Sequence, residues 1–534
     1  MIKIALAQIN PCVGDIEYNT KKIISNIKKA KDSKVDIVIF PELSLTGYPP
    51  EDLLLKSHFI DQNLRHLKII EKESKGIIVL LGFVDKFKEK IYNSCAFLKD
   101  GKLQDVYHKI YLPNYGVFDE KRYFAPGGFL SFYKFGEYKF CVSICEDVWK
   151  EGFIRSLSGK KLDFVVNISA SPFNLGKISA REKIVSDLAK KTNAFVFYTD
   201  LIGGQDELVF DGTSMVVSPS GKMISAAKRF EEDFLVFELD HKKSYPAKQI
   251  LERPEEEAYC ALKLGLHDYV KKNGFKKVII GVSGGIDSAV VVSLAASSLG
   301  KENVCGLIMP SCYTSKGTFA DAKIICENLG IDYKVINIDG ILDTYLKILL
   351  PLFKRKDGTK TEENLQARIR GNLLMAYSNE FGYLVLNTGN KSEVSCGYCT
   401  LYGDMVGGFG LLKDVPKTLV YKIAHYINKS YRKAIIPVST IRRAPSAELR
   451  PNQKDTDSLP PYSVLDPIIK MYVEEDFSLE KLSKKGFNRK LIRKVIGMID
   501  SSEYKRRQGP IGIKITPRAF GRDRRMPITN KFNY

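Results

Sequence analysis

The chain has 534 residues, 44% of them hydrophobic, and 82 basic against 62 acidic side chains give it a formal net charge of +20. That length exceeds what one hydrophobic core usually organises and predicts two domains. The apolar content excludes wholesale disorder, and no apolar run approaches the roughly 20 residues needed to span a bilayer. Ten cysteines scattered in mostly apolar settings, and an N-terminus without a secretory pattern, predict reduced thiols in a cytoplasmic protein with no membrane partner. The positive charge is spread along the chain and reads mostly as solvated surface, so nucleic acid is not the expected partner. Two clusters, Lys505-Arg506-Arg507 and Arg522-Asp523-Arg524-Arg525, are expected to meet phosphates of a small ligand.

In chain order, Lys3–Ile9, Asp36–Phe40, Ile77–Phe83, Tyr92–Leu98, Phe140–Ile144, Phe164–Ile168 and Ala194–Tyr198 read as strands. Asn19–Lys34 and Ala180–Thr192 carry the apolar period of surface helices. The mixture predicts a layered α/β domain. Around Asp240–Pro246 the pattern loosens into a polar connector, which places the boundary near residue 247, with domains over 1–246 and 247–534. A helix then begins near Glu255, and an apolar strand starts at Val278. Beyond it, Val304–Met309, Thr318–Leu329, Asp332–Ile338, Glu362–Glu380 and Tyr383–Asn387 alternate strand and helix, the rhythm of an open parallel sheet. The last 25 residues hold three prolines and are expected to order only on packing or binding.

In the first half, Cys145 ends the strand Phe140–Ile144, where Glu146-Asp147 breaks the apolar run and can project the thiol into a cleft. Cys141, inside the strand, reads as a small core side chain. Glu42 lies just past Asp36–Phe40, and Lys109 sits in a mostly apolar context. In the second half, Gly281-Val282-Ser283-Gly284-Gly285-Ile286-Asp287-Ser288 joins a buried strand to a buried helix. Its glycines expose successive N–H groups at a helix N-terminus, which forms an anion nest, while Ser283 and Ser288 add hydroxyl donors. The loop lacks the lysine of a Walker A motif, so γ-phosphate transfer is excluded, and Asp287 can hold Mg²⁺ against a pyrophosphate.

The serine–glycine loop resembles the PP-loop of ATP pyrophosphatases, which adenylate a substrate and release pyrophosphate. Glu42, Lys109 and Cys145 together resemble the Glu-Lys-Cys triad of the nitrilase superfamily of C–N hydrolases. That resemblance implies a base, an oxyanion-stabilising cation that also lowers the thiol pKa, and a nucleophile. Glu120 resembles a second carboxylate of the superfamily. The words Pro113–Glu120 and Ser169–Phe173 look like its glutaminase branch, which would make Tyr115, Ser171 and Lys177 the residues holding glutamine. Further matches run through Glu362–Arg370, Asn387–Glu393, Tyr402–Asp404, Leu412–Val415 and Pro445–Tyr462. With these the chain resembles, over essentially its whole length, the glutamine-dependent NAD⁺ synthetase family.

The resemblance implies an N-terminal nitrilase-like αββα sandwich and a C-terminal open parallel-sheet, Rossmann-like PP-loop ATP pyrophosphatase domain. It implies a homo-oligomeric enzyme with glutamine, ATP and deamido-NAD⁺ as substrates and Mg²⁺ as the metal. Carried over by position, Gly281–Ser288 and Thr388 would hold ATP, and Asp287 and Glu393 Mg²⁺. Asn364, Glu393 and Lys505 would touch deamido-NAD⁺, and Lys413 would face the transferred phosphate. Arg368 and Arg370, two apart on a helix, point in different directions, so at most one meets a phosphate. Two departures stand out: Gly410-Leu411-Leu412 where a proline is expected, and Arg450 where a small residue is usual. The Cys396-Gly-Tyr-Cys399 pair beside a PP-loop in a basic chain also suits an RNA-thiolating enzyme, although no second pair completes a zinc site. Another ATP-driven amidotransferase, and a binding protein with a dead amidase, are the remaining alternatives.

Overall fold

The computed structural model describes residues 1–251, 253–353 and 360–532. It forms two compact units, Met1–Glu252 and Arg253–Tyr534.

The first unit is a sandwich of two six-stranded sheets. One has the order β14-β1-β2-β3-β4-β5, from β1 (Ile2–Gln8), β2 (Ile37–Ile39), β3 (Ile78–Phe87), β4 (Lys90–Lys99), β5 (Lys102–His108) and β14 (Asp233–Leu239). The other has the order β13-β12-β9-β8-β7-β6, from β6 (Phe132–Phe135), β7 (Tyr138–Ile144), β8 (Phe164–Ser169), β9 (Phe195–Asp200), β12 (Met215–Val217) and β13 (Met223–Ala226). A small ribbon pairs β10 (Ile202–Gln205) with β11 (Leu208–Asp211). Side-chain alternation assigns the faces. Ile4 and Leu6 of β1 pack with Val142 and Ile144 of β7 between the sheets. Ala5 and Ala7 face outward against α1 (Ile16–Asp32) and α2 (Ser57–Glu73). On the far side, α3 (Glu151–Leu157) and α4 (Lys177–Thr192) cover Cys141, Val165 and Val196. Central strands buried on both faces read as unbroken apolar runs, which is why they stand out in the sequence.

Several elements differ from expectation. Helix α1 starts three residues before Asn19, because the Asp15 side chain caps it by accepting from Tyr18 N–H at 3.0 Å. Strand β5 was not predicted. It is a polar edge strand, joined to β4 through Asp100-Gly101, both at positive φ, the conformation of a tight two-residue hairpin. The five short strands from β10 to β14 also escaped, as did α2.

The second unit opens with α5 (Pro254–Lys272) and is built on a five-stranded parallel sheet of order β17-β16-β15-β18-β19. Its strands are β15 (Val278–Gly281), β16 (Val304–Ile308), β17 (Asp332–Val335), β18 (Leu384–Asn387) and β19 (Phe409–Gly410). The chain steps from β15 to β16 and β17 through α6 (Ile286–Leu299) and α7 (Lys316–Leu329). It then passes α8 (Asp339–Phe353) and α9 (Lys360–Phe381) to enter β18 on the other side of β15. The order reverses between β15 and β18, and a crevice for ligands lies beyond the carboxyl ends of strands at such a switch. The eight-residue glycine loop closes β15 there, and Thr388 follows β18. The proline-bearing tail is packed: Ile513 and Ile515 are buried, and the Ile515 and Thr516 N–H groups donate to Asp414 Oδ2 at 2.8 and 2.7 Å. No helix among the described residues is long and apolar enough to cross a membrane.

Candidate active sites

In the first unit, three chain segments that follow strands converge. Cys145 comes directly after β7, at a φ of +40°, a left-handed conformation that non-glycine residues avoid. A brace holds it there. Asp147, fully buried, accepts from Ile144 N–H (2.9 Å) and Tyr107 Oη–H (2.8 Å) on one oxygen, and from Tyr111 N–H (2.9 Å) and Ile110 N–H (3.1 Å) on the other. The same carboxylate thus ties the Cys145 turn to the residues that follow Lys109. Lys109 comes directly after β5, and its ammonium, 1% exposed, donates to Glu42 Oε1 at 2.7 Å and Glu120 Oε1 at 2.8 Å. Glu42 also accepts from Asn93 Nδ2 (2.7 Å) and, on Oε2, from Ala170 N–H (2.8 Å). Glu120 accepts in addition from Tyr48 Oη–H at 2.9 Å, and its second oxygen is buried without a hydrogen-bond partner.

The electrostatics follow from burial. Burial alone would strip the charge from Lys109, but Glu120 and Glu42 outweigh it and hold the ammonium well above its ordinary pKa. Burial pushes Glu120 up to about 7, against the pull of Lys109. The Cys145 thiol is raised well above its usual value by burial and then by Glu42, while Lys109 pulls the other way. The lysine thus pulls the thiol down, in the direction expected of it, while burial and Glu42 push harder the other way.

The residues matched to glutamine binding sit around this cluster. The Tyr115 hydroxyl donates to Glu146 Oε2 at 2.8 Å, and Lys150 pairs with Glu146 Oε1 at 2.7 Å. The Lys177 ammonium lies 4.4 Å from the Trp149 ring centroid, a cation–π contact. Ser171 is buried, and its N–H donates to Asp200 Oδ1 at 2.9 Å. Sequence reasoning missed Asn93, Tyr48, Asp147 and Glu146. Asn93 left a signal as an amide inside a predicted apolar strand, and Glu146 and Asp147 were visible only as the break after Cys145.

In the second unit a cavity of about 320 Å³ opens at the switch point and is lined by all of Gly281–Ser288, together with Thr388, Glu393 and Arg370. Gly284 has a φ of +81°, and a Cβ there would meet the Thr318 carbonyl oxygen at 2.1 Å, so the turn requires glycine. Ser283 and Ser288 hold the loop, with Oγ atoms 3.1 Å apart and Gly285 N–H donating to Ser283 Oγ at 3.2 Å. Asp287, in the first turn of α6, accepts from Asn390 Nδ2 at 3.1 Å and pairs with Lys417. Lys417, which sequence reasoning did not single out, also pairs with Glu393 Oε1 at 3.0 Å. Burial pushes Glu393 up to about 7, Lys417 lowers it and Asp287 raises it. Burial opposes the Lys417 charge, but Asp287 and Glu393 outweigh it and hold that ammonium above its ordinary range.

The remaining matches divide. Arg370 lines the cavity and donates Nε–H to the Met309 carbonyl at 3.0 Å, whereas Arg368 donates to the Leu401 carbonyl at 3.2 Å. Asn364 Oδ1 accepts from Thr400 Oγ1 at 2.8 Å. Lys505 Nζ donates to the Gly397 and Cys399 carbonyls at 2.7 and 2.8 Å, and Lys413 Nζ to the Pro510 carbonyl. Of the two basic clusters, Arg506 and Arg524 are buried, and Arg507, Arg522 and Arg525 are exposed. Arg506 and Arg507 pair with Glu503, and Arg524 with Asp500. The unusual Arg450 pairs with Asp457 at 2.9 Å and Glu363 at 3.4 Å, and Gly410 N–H donates to the Ile511 carbonyl at 2.7 Å. Cys396 belongs to a hydrophobic core. Among the described residues no group of three or more His, Cys, Asp or Glu side chains forms a metal cluster.

Residues 3–249 match the carbon-nitrogen hydrolase family model and residues 258–509 the NAD synthase model. Over 99% of its length the chain is 46% identical to a glutamine-dependent NAD(+) synthetase of Thermotoga maritima, covering 99% of that protein. It is 45% identical to one of Acinetobacter baylyi, over 99% of this chain and 98% of that one. Among solved structures it is similar to the glutamine-dependent NAD+ synthetase of Acinetobacter baumannii in complex with adenosine diphosphate, with a TM-score of 0.80 and 43% identity over 99% and 98% of the two chains. With two catalytic units in the same order and full-length identity of this extent, the chain belongs to the glutamine-dependent NAD(+) synthetase family.

Proposed function

We propose that this chain amidates deamido-NAD⁺ to NAD⁺, with glutamine as nitrogen donor and ATP as the activating nucleotide. We assign glutamine hydrolysis to residues 1–246 and ATP-driven synthesis to residues 247–534. The observation that carries the first assignment is the Lys109 ammonium clamped between Glu42 and Glu120 beside a buried thiol.

Glu42 takes the Cys145 proton, and the thiolate attacks the glutamine amide carbon. Two of the three Lys109 N–H bonds are committed to carboxylates, and the third stabilises the oxyanion that forms. The C–N bond breaks as the proton passes to nitrogen, which leaves as ammonia. Water, deprotonated by Glu42, then cleaves the thioester to glutamate. Tyr115, Ser171 and Lys177 are assigned to the amino-acid end of glutamine.

In the second unit, the N–H groups of Gly281–Ser288 and the Thr388 hydroxyl are assigned to ATP. Asn364, Glu393 and Lys505 are assigned to deamido-NAD⁺. The nicotinate carboxylate attacks the α-phosphorus, pyrophosphate leaves, and ammonia displaces AMP from the mixed anhydride. Asp287 and Glu393 fit Mg²⁺, since their oxygens already converge on a single cation, the Lys417 ammonium. Mg²⁺ accepts one or two carboxylates and completes its shell with water and phosphate oxygens, whose charge it neutralises. Ten free cysteines, one of which must stay reduced to act, favour the cytoplasm.

Incubation with glutamine, Mg·ATP and deamido-NAD⁺ should yield glutamate, NAD⁺, AMP and pyrophosphate together. Cys145→Ala should abolish glutamine-dependent synthesis while added ammonium restores it. Glutamine-dependent turnover retained in that variant would end the nucleophile assignment.

A further inference from the structure

One buried ionic cluster of the first unit takes part in none of these steps. Arg181 lies in α4, one turn beyond Lys177, and is 1% exposed. Its Nη2 donates to Asp211 Oδ1 at 3.0 Å, to the Ser171 carbonyl at 3.3 Å and to Ser171 Oγ at 3.4 Å. Its Nη1 donates to the Gly212 carbonyl at 3.2 Å, and Asp200 Oδ2 lies 3.4 Å from Nη2. Asp200 reaches back to the same serine, since its Oδ1 accepts Ser171 N–H at 2.9 Å. The N–H, carbonyl and hydroxyl of Ser171 are therefore all held by one cluster. The neighbouring Ala170 gives its N–H to Glu42 Oε2 at 2.8 Å.

A buried ion cluster is a poor source of net stability, because desolvation offsets most of the attraction. What it supplies here is orientation. The guanidinium is a rigid planar fork, and lysine cannot reproduce its several simultaneous bonds. With an Arg181 N–H on one of its two lone pairs, the Ser171 hydroxyl keeps its own hydrogen free to donate. That donor, with the guanidinium beside it, makes the α-carboxylate of an amino acid a better partner than its α-ammonium.

We propose that Arg181, held by Asp200 and Asp211, is a positioning residue for the glutamine pocket, which fixes Ser171 so that its hydroxyl donates to the substrate α-carboxylate. The inference rests on the assignment of glutamine to Ser171 and specifies which end of the substrate the serine reads.

The test compares the full-length protein with Arg181→Lys and Arg181→Met. Measured for each are KM and kcat for glutamate release, the rate of Cys145 alkylation by iodoacetamide, and ammonium-dependent NAD⁺ synthesis. Arg181→Lys keeps the charge and loses the fork. It should raise KM for glutamine about 10- to 100-fold, the worth of one hydrogen bond to a charged group, with kcat changed far less. Alkylation and ammonium-dependent synthesis should stay at the unaltered rates. With glutaminamide, which lacks the α-carboxylate, the unaltered protein and Arg181→Lys should differ by less than twofold. Should Arg181→Met unfold the unit, the lysine variant alone carries the test. A KM for glutamine within twofold of the unaltered value in Arg181→Lys would overturn the proposal. So would a parallel fall in alkylation, which would mark a merely structural role. No glutamine hydrolysis by the unaltered chain would instead sink the assigned reaction and this inference with it.

Discussion

Replacing Lys109 by methionine tests the electrostatics of the first site most directly. The substitution preserves chain length and removes the charge. The ammonium now lies 2.7 Å from Glu42 Oε1 and 2.8 Å from Glu120 Oε1, with every partner buried. Without it, two carboxylates face each other in a site that already pushes Glu120 up to about 7. Removing one partner of a buried ion pair costs about 3–5 kcal/mol, because the remaining charge stays desolvated. The protein offers a local probe of that cost. Its single tryptophan, Trp149, ends the short 3₁₀ helix that begins at Cys145, so tryptophan fluorescence during urea unfolding reports this unit alone. That matters because a two-unit chain does not unfold as one two-state system. Lys109→Met should lose about 3–5 kcal/mol in this assay. Lys109→Met combined with Glu120→Gln removes one of the two opposed charges and should recover a substantial part of the loss. Both variants should hydrolyse glutamine at least about 10²-fold more slowly, the usual effect of losing an oxyanion donor. Ammonium-dependent synthesis should be untouched. A loss below about 1 kcal/mol in the single variant, or no recovery in the double, would refute the charge-triad reasoning.

In the second unit, Gly284→Ala should weaken ATP binding at least tenfold in equilibrium dialysis, since the added carbon would stand 2.1 Å from the Thr318 carbonyl at a φ of +81°. Gly285→Ala should lower the unfolding temperature far less than Gly284→Ala, because its added carbon meets only the Ser283 Oγ, at 3.3 Å, and no backbone atom. Burial raises Asp147 to about 6, from about 4 in the unfolded chain. The native state therefore holds this proton more tightly, and the carboxyl's contribution to stability is greatest at low pH and is lost as pH rises through 6. The difference in urea midpoint between the unaltered protein and Asp147→Asn, read from Trp149, should accordingly change between pH 4 and 6 and level off above pH 7.

What could be read from the sequence was local. The PP-loop is eight contiguous residues between a strand and a helix, so its turn and its place at the end of β15 follow from the words themselves. Cys145 announced itself because an apolar run stops at Glu146-Asp147. Glu42 and Lys109 could be found only by resemblance, because nothing near either says that the other lies 2.7 Å away. Residues that act across large separations stayed silent. Ala170 N–H serves Glu42 from 128 positions along the chain, and an alanine carries no side-chain signal of that role. Lys417 and Lys422 look alike on a helix, yet only Lys417 lies between Asp287 and Glu393. The clustering of the C-terminal arginines was visible, but Glu503 and Asp500, which pair with Arg506 and Arg524, were not recognisable as partners. The sign of the Lys109 effect on the thiol could be anticipated, whereas the larger, opposite effect of burial could not, because sequence supplies the sign of a neighbouring charge and not the depth of burial.

Both units arrive at the same electrostatic arrangement on unrelated sheets: one buried lysine between two carboxylates. The reason is common to both. Two carboxylates brought close in a low-dielectric site cannot both ionise without a cation between them, and in each unit one of the pair, Glu120 or Glu393, is pushed up to about 7 even with the lysine present. The consequences diverge with access. The Lys109 ammonium and its partners are buried in the first unit, so that cation is fixed, and the proposed mechanism gives its remaining N–H to charge created at Cys145. Asp287 and Glu393 each keep 19% of their side-chain surface exposed and line a cavity, and the proposed reaction has their oxygens exchange the Lys417 ammonium for a cation that enters with substrate. A permanent cation suits a reaction in which negative charge appears and vanishes on a bound carbonyl. An exchangeable one suits a reaction whose charge arrives and leaves with a polyphosphate.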